Sequence, residues 1–129
     1  MSQASERGAA AVEFAIVVPV LVMLLLGIME FGRVYNTQAE LSAAAREGVR
    51  VLAVTGNQTT ARSAAENVAV SLKPGLQDSN ISFGAACPST VSAGTSPQAT
   101  ITITYSLSTL TGIAGPFTMT GKGTMLCGG

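Results

Sequence analysis

The residue types that do most enzymatic chemistry are scarce in this chain of 129 residues. There is no histidine. Neither a Ser/His nor a Cys/His nucleophile pair can form, and zinc or iron sites lose their commonest nitrogen ligand. Beyond Glu66 the single acidic side chain is Asp78, so the second half of the chain cannot furnish the paired carboxylates of glycoside hydrolysis. Two cysteines fall short of the four ligands a structural zinc site wants. Seven basic and seven acidic residues balance to zero net charge, leaving no basic stripe for nucleic acid. The expectation is a protein that is not an enzyme. It needs no cofactor or metal and takes neither nucleic acid nor a small-molecule substrate. Two features remain that carry chemistry: the isolated carboxylate of Glu13 and the pair Cys87 and Cys127.

Glu13 matters because of the element that holds it. From Ala9 to Met29 it is the sole charge, and Phe14 to Met29 has none. As a helix, such a stretch spans roughly 31 Å, the thickness of a bilayer's hydrocarbon core. A buried helix of a soluble protein would need a larger body around it than the remaining hundred or so residues supply. A cleaved secretory signal has a shorter apolar core and a small-residue site directly after it, whereas here Glu30-Phe31-Gly32-Arg33 follows. The reading is a transmembrane helix over residues 9–30, with Pro19 tolerated as in other membrane helices. A carboxylate inside such a helix costs roughly 2.5–3.5 kcal/mol at the centre and less near an end. Glu13 therefore either snorkels outward or awaits a partner cation.

The residues around Glu13 carry a resemblance. Gly8, four residues, Glu13 and then Phe14 at the mouth of an apolar helix resemble the processing site of a type IVb prepilin. Residues 8–53 as a whole resemble the TadE-like family of pseudopilins, through Glu13-Phe14-Ala15, Pro19, Gly27-Ile28-Met29-Glu30-Phe31-Gly32-Arg33 and Ala44-Ala45-Arg46-Glu47-Gly48-Val49-Arg50. The resemblance implies a minor pilin or pseudopilin of a Flp/Tad-type adhesive pilus or related secretion apparatus in the bacterial cell membrane. It implies a leader at residues 1–8, cut by a prepilin peptidase between Gly8 and Ala9. Its other implied partners are pilin subunits and the pilus assembly platform, besides the lipid bilayer. On this reading Glu13 and Phe14 serve subunit contact and register, Glu13 pairing with the new ammonium at Ala9 of a neighbour. Ala11 and Ala15 offer a small face for close helix approach.

The remainder, residues 31–129, reads as an α+β domain, as expected of a type IV pilin-like architecture. The apolar helix continues over about 31–54, with Leu41, Ala44, Ala45, Gly48, Val49 and Leu52 at helical spacing. The stretch Ala45-Arg46-Glu47-Gly48 is either a solvated face or, through Ala44 and Gly48, a subunit contact. Thr55-Gly56-Asn57-Gln58 breaks the helix. A second helix is expected over about 59–72, capped by Thr59 or Thr60, with Ala61, Ala64, Ala65, Val68 and Leu72 inward. Then the period changes to two. Strands are expected at about 80–85, 98–108 and 116–127, forming a small antiparallel sheet. Ala99, Ile101, Ile103, Tyr105 and Leu107 mark one face of the middle strand; Phe117, Met119, Gly121, Gly123 and Met125 mark that of the last. Asn57-Gln58-Thr59 and Asn80-Ile81-Ser82 are formal glycosylation sequons, read as chance in a Ser/Thr-rich sequence.

Two questions stay open at this level. Arg7 precedes the apolar stretch while Arg33, Arg46 and Arg50 follow it, which by charge alone favours a cytoplasmic C-terminal side. The pilin resemblance implies the reverse, a single-pass protein with its C-terminal domain extracytoplasmic, either at the base of a pilus or within it. Cys87 and Cys127 are either buried free thiols or, in an exported domain, a disulfide. In an up-down-up sheet a middle strand would hold them about two strand spacings apart, beyond a disulfide's reach. Bonding would then require the Ala85–Pro88 loop to fold inward or the first strand to pair elsewhere. The alternative function is a single-pass membrane protein whose exported β-rich module binds a surface outside any pilus.

Overall fold

The computed structural model describes residues 2–128. Met1, the first residue of the expected leader, and Gly129, the last of the expected domain, lie outside the described residues. The fold is α+β, with a long apolar N-terminal helix, a short second helix and a three-stranded antiparallel sheet. The long helix, α1, runs Ser2–Thr55 and includes Pro19. It stops where glycine permits a left-handed turn: Gly56 has φ +65° and donates its N–H to the Leu52 carbonyl at 2.9 Å. The chain divides into two compact units, 1–33 and 34–129.

The first unit is helix throughout its described residues. Val12, Phe14, Ile16, Val17 and every large aliphatic residue from Val20 to Met29 are exposed, while Val18 is partly covered. Among the described residues of this unit, none of these large aliphatic side chains is buried.

The second unit is a helix-on-sheet pair of layers. Helix α2 runs Gln58–Val68, which departs from the expected 59–72 at both ends. Asn57 is the cap rather than Thr59 or Thr60: its side-chain oxygen accepts from the N–H groups of Thr59 and Thr60 at 2.9 and 3.1 Å. At the other end the hydrogen bonds turn away from the helical pattern. Leu72 N–H reaches the Ala69 carbonyl at 3.3 Å, Ser71 Oγ donates to the Glu40 carboxylate, and Tyr105 Oη donates to the Pro74 carbonyl at 2.7 Å. These tertiary bonds override the local period. Val68, expected inward, is exposed, and Ala69 is buried in its place.

After a single 3-10 turn at Asp78–Asn80 come strands β1 (Ile81–Phe83), β2 (Gln98–Leu107) and β3 (Phe117–Leu126), ordered β1-β2-β3 and antiparallel. The first is shorter than the expected 80–85 for two local reasons. Asn80 spends its side chain on Gln77 N–H and the Thr104 carbonyl. Past Phe83, Gly84 and Ala85 both bond to Thr100, the two-against-one pattern of a bulge. In β2 the residues Ala99, Ile101, Ile103, Tyr105 and Leu107 are all buried, alternating with exposed or half-exposed Thr and Ser.

Small residues set the distance between the layers. A Cβ on Gly121 would lie 2.5 Å from the Leu41 carbonyl oxygen, and one on Gly123 would lie 2.5 Å from that of Ala45. On the helix side, a Cβ on Gly48 would meet Ile101 Cδ1 at 2.8 Å and Ala65 Cβ at 3.2 Å. Ala44 and Gly48 are therefore consumed by the protein's own core. The reading of that pair as a subunit contact is corrected, because its close-approach surface is already filled.

Candidate functional site

Gly8, Ala9, Glu13 and Phe14 all stand on α1 and all are exposed. Nothing lies within 4 Å of where a Gly8 Cβ would be. No described residue bonds to Glu13, so within one copy of the chain its carboxylate has no counter-charge. The apolar run begins at the next residue, Phe14, and its large side chains are exposed, among them Phe14 at 71% and Ile28 at 68%. That exposure is the opposite of a soluble core helix. Burying aliphatic side chains is worth roughly 1.5–3 kcal/mol each, so a bilayer or other helices must cover this surface. Among the described residues one helix, Gln3–Thr55, is long and apolar enough to cross a membrane.

The cysteines come together at the other end of the chain. Cys87 and Cys127 form a disulfide with their Cα atoms 5.5 Å apart. The sheet order leaves β2 between their strands, so the loop after β1 has to fold across the start of β2. The hydrogen bonds trace this path: Thr100 N–H reaches the Ala85 carbonyl at 3.2 Å, and Cys127 N–H reaches the Pro97 carbonyl at 2.9 Å. Gly128 N–H continues to the Ala53 carbonyl of α1 at 3.3 Å. Of the two arrangements that would permit bonding, the inward loop is the one adopted.

A charged cluster joins α2 to β1 that sequence reasoning missed. Arg62 lies over the Phe83 ring at 5.2 Å and has its Nε 3.7 Å from Asp78 Oδ1. At that distance the contact is Coulombic, and the Nε makes no hydrogen bond. Burial, and then the neighbouring Asp78 carboxylate, push the Glu66 carboxyl above its ordinary range, with Arg62 pulling weakly the other way. Nothing local signals this cluster, since Asp78 is brought in from a separate turn. On α1, Glu47 and Arg50 form a two-point ion pair at 2.6 and 3.0 Å. That hydrogen bond holds Glu47 below its usual carboxylate range. Among the described residues no group of three or more acidic or cysteine side chains is arranged to hold a metal.

The arrangement is an exposed apolar helix with a carboxylate near its start, and a small disulfide-linked domain. Residues 8–50 match the model of the family described as TadE-like protein. The TadE-like segment is about a third of the chain. It contains Gly8, Glu13, Phe14 and the whole apolar run, and ends at Arg50. No curated protein and no solved structure matches the chain.

Proposed function

We propose that this protein is a membrane-anchored pseudopilin or minor pilin that assists assembly or initiation of a Flp/Tad-type pilus, without catalysing a reaction. The observation that carries the reading is the coincidence of the TadE-like match with the fully exposed apolar helix and the unpaired Glu13 within it. Cleavage after Gly8 would leave an ammonium at Ala9, about one turn from Glu13 on the same helix. In an assembly, that ammonium on one subunit neutralises Glu13 of the next, relieving an intramembrane charge and fixing axial register. Prepilin peptidase, the lipid bilayer, other pilin subunits and the assembly platform are the partners this requires. The disulfide supports an extracytoplasmic domain, since such bonds persist in oxidising compartments.

The test is N-terminal mass spectrometry of protein extracted from the membranes of cells that carry a prepilin peptidase. Mature protein should begin at Ala9, and Gly8→Arg should retain the leader. Glu13→Ala should insert normally yet impair piliation. An intact terminus in such cells would remove the reading.

A further inference from the structure

We infer that the free edge of β3 is a docking site for an extended, carboxylate-bearing segment of another protein, which would add as a fourth strand. The proposal stands apart from the pilus reading and rests on the second compact unit alone.

The direction of the backbone groups follows from the ladder. Gly84 N–H bonds to the Thr100 carbonyl and Thr100 N–H to Ala85, so even-numbered residues of β2 face β1. Odd-numbered residues of β2 then face β3, as the bond between Cys127 N–H and the Pro97 carbonyl shows one step beyond the strand's start. By the pairing of Ile101 with Gly123 and Ile103 with Gly121, odd-numbered β3 residues point inward. Thr118, Thr120, Lys122, Thr124 and Leu126 therefore direct N–H and C=O outward. One of these groups already has an outside partner: Gln38 Nε2 donates to the Thr120 carbonyl at 3.0 Å. The rest form an open hydrogen-bonding row, the template that β-augmentation uses.

Beside this row lies a groove of about 500 Å³, between the flank of α1 and the β3 edge, lined by Ala43, Arg46, Glu47, Arg50, Thr124 and Met125. Helix α1 sits over the inner face of β3, its Leu41 and Ala45 backbone against Gly121 and Gly123. A strand added about 4.8 Å outside β3 would run under that flank. Its inward side chains would fill the groove, whose exposed lining is mainly apolar, and its outward ones would extend the threonine face.

Charge selects the occupant. Arg46 and Lys122 are exposed, and among the described residues no carboxylate pairs with either. Two copies of this chain joined edge to edge would bring two Lys122 and two Arg46 together, which like-charge pairing across strands disfavours. A segment alternating apolar and acidic residues seats its apolar side chains in the groove and sets its acidic ones beside Lys122 on the threonine face.

The experiment uses the full-length chain in detergent micelles and a labelled synthetic octapeptide alternating valine with glutamate. Its controls are the lysine counterpart and a version N-methylated at every second amide. Fluorescence anisotropy should show the glutamate peptide binding at least about tenfold more tightly than the lysine peptide, with Lys122→Glu losing about tenfold. N-methylation should abolish binding without touching the protein. Hydrogen exchange should gain protection at Thr120, Lys122 and Thr124. The proposal is overturned if the N-methylated peptide binds equally, if the lysine peptide binds as well, if protection falls elsewhere, or if no binding occurs. Self-association of the chain through these amides would also overturn it.

Discussion

Helix α1 contains two stretches that differ in what surrounds them. Between Ala9 and Met29 the side chains are mostly large and apolar, all exposed but the partly covered Val18, and a Cβ built on Gly27 would meet nothing within 4 Å beyond its own helix backbone. Between Val34 and Thr55 the apolar residues fall on one face, alanine and glycine predominate there, and Leu41, Ala44, Ala45, Val49 and Leu52 are all but inaccessible. The first stretch has the length and apolar surface to cross a membrane. The second is fitted to the protein's own surfaces, the glycine-bearing strand β3 and the side chains of β2 and α2. An all-round apolar helix tolerates size changes because lipid or neighbouring helices adjust; a helix seated on backbone does not. The substitutions that follow use that contrast.

The largest effect falls on the bond that staples the second unit. The Cys87–Cys127 link closes a sequence separation of 40. On the chain-entropy model its loss costs roughly 4 kcal/mol. Cys87→Ser with Cys127→Ser should lower the thermal midpoint of the extracted protein by more than about 15 °C in a circular-dichroism melt. Reduction with dithiothreitol should do the same to the unaltered chain. No shift on either treatment would mean the domain is held by its core alone.

Next comes the contrast between glycines. Gly123→Val places carbon atoms against the Ala45 carbonyl, which backbone cannot yield, and should cost about 3 kcal/mol or more. Gly27→Val in the apolar stretch should leave the melting of the second unit within about 1 °C, because no atom of the chain opposes it. Equal losses from the two would erase the distinction between the stretches.

Asn57→Ala comes third. It removes the side-chain acceptor for two N–H groups at the start of α2 and should cost about 1 kcal/mol, read as a fall of several degrees in the same melt. Thr59→Ala, one of the two caps the sequence suggested, should change little.

That last pair shows where the sequence was legible. The five-residue alternation from Ala99 to Leu107 survives intact, because a strand packed on one face must bury every second residue. The apolar run is equally direct, because it lies within one continuous helix. Caps and ends are less so. Asn57, Thr59 and Thr60 are all competent N-caps, and only the path of the chain out of Gly56 selects among them. The end of α2 depends on Glu40 and Tyr105, which lie far away in sequence. Arg62, Glu66 and Asp78 left no local signature, since their meeting is a product of the β1 turn. Ala44 and Gly48 looked free to meet another subunit because small residues suit any close partner; that the partner is the chain's own β2 and α2 is a tertiary fact.

The smallest effect concerns Glu66, and its sign is opposite to that of most carboxylates. Burial and Asp78 raise its folded-state pKa above the unfolded value. The folded protein therefore binds that proton more tightly than the unfolded chain does, and ionisation works against folding. The penalty is absent below the unfolded pKa of about 4.3 and is complete once pH exceeds the raised folded value. Glu66→Gln keeps the shape and removes the charge. At pH 7 it should raise the thermal midpoint by about 1 °C, the small size reflecting solvent screening of a partly exposed group. At pH 4 the gain should vanish. Asp78→Asn, made in the same background, should relieve most of the repulsion and reduce the benefit of Glu66→Gln. It should also loosen the contact to Arg62. If Glu66→Gln instead destabilises at pH 7, the Arg62 attraction outweighs both burial and Asp78, and the cluster is a salt bridge rather than a strained carboxyl pair.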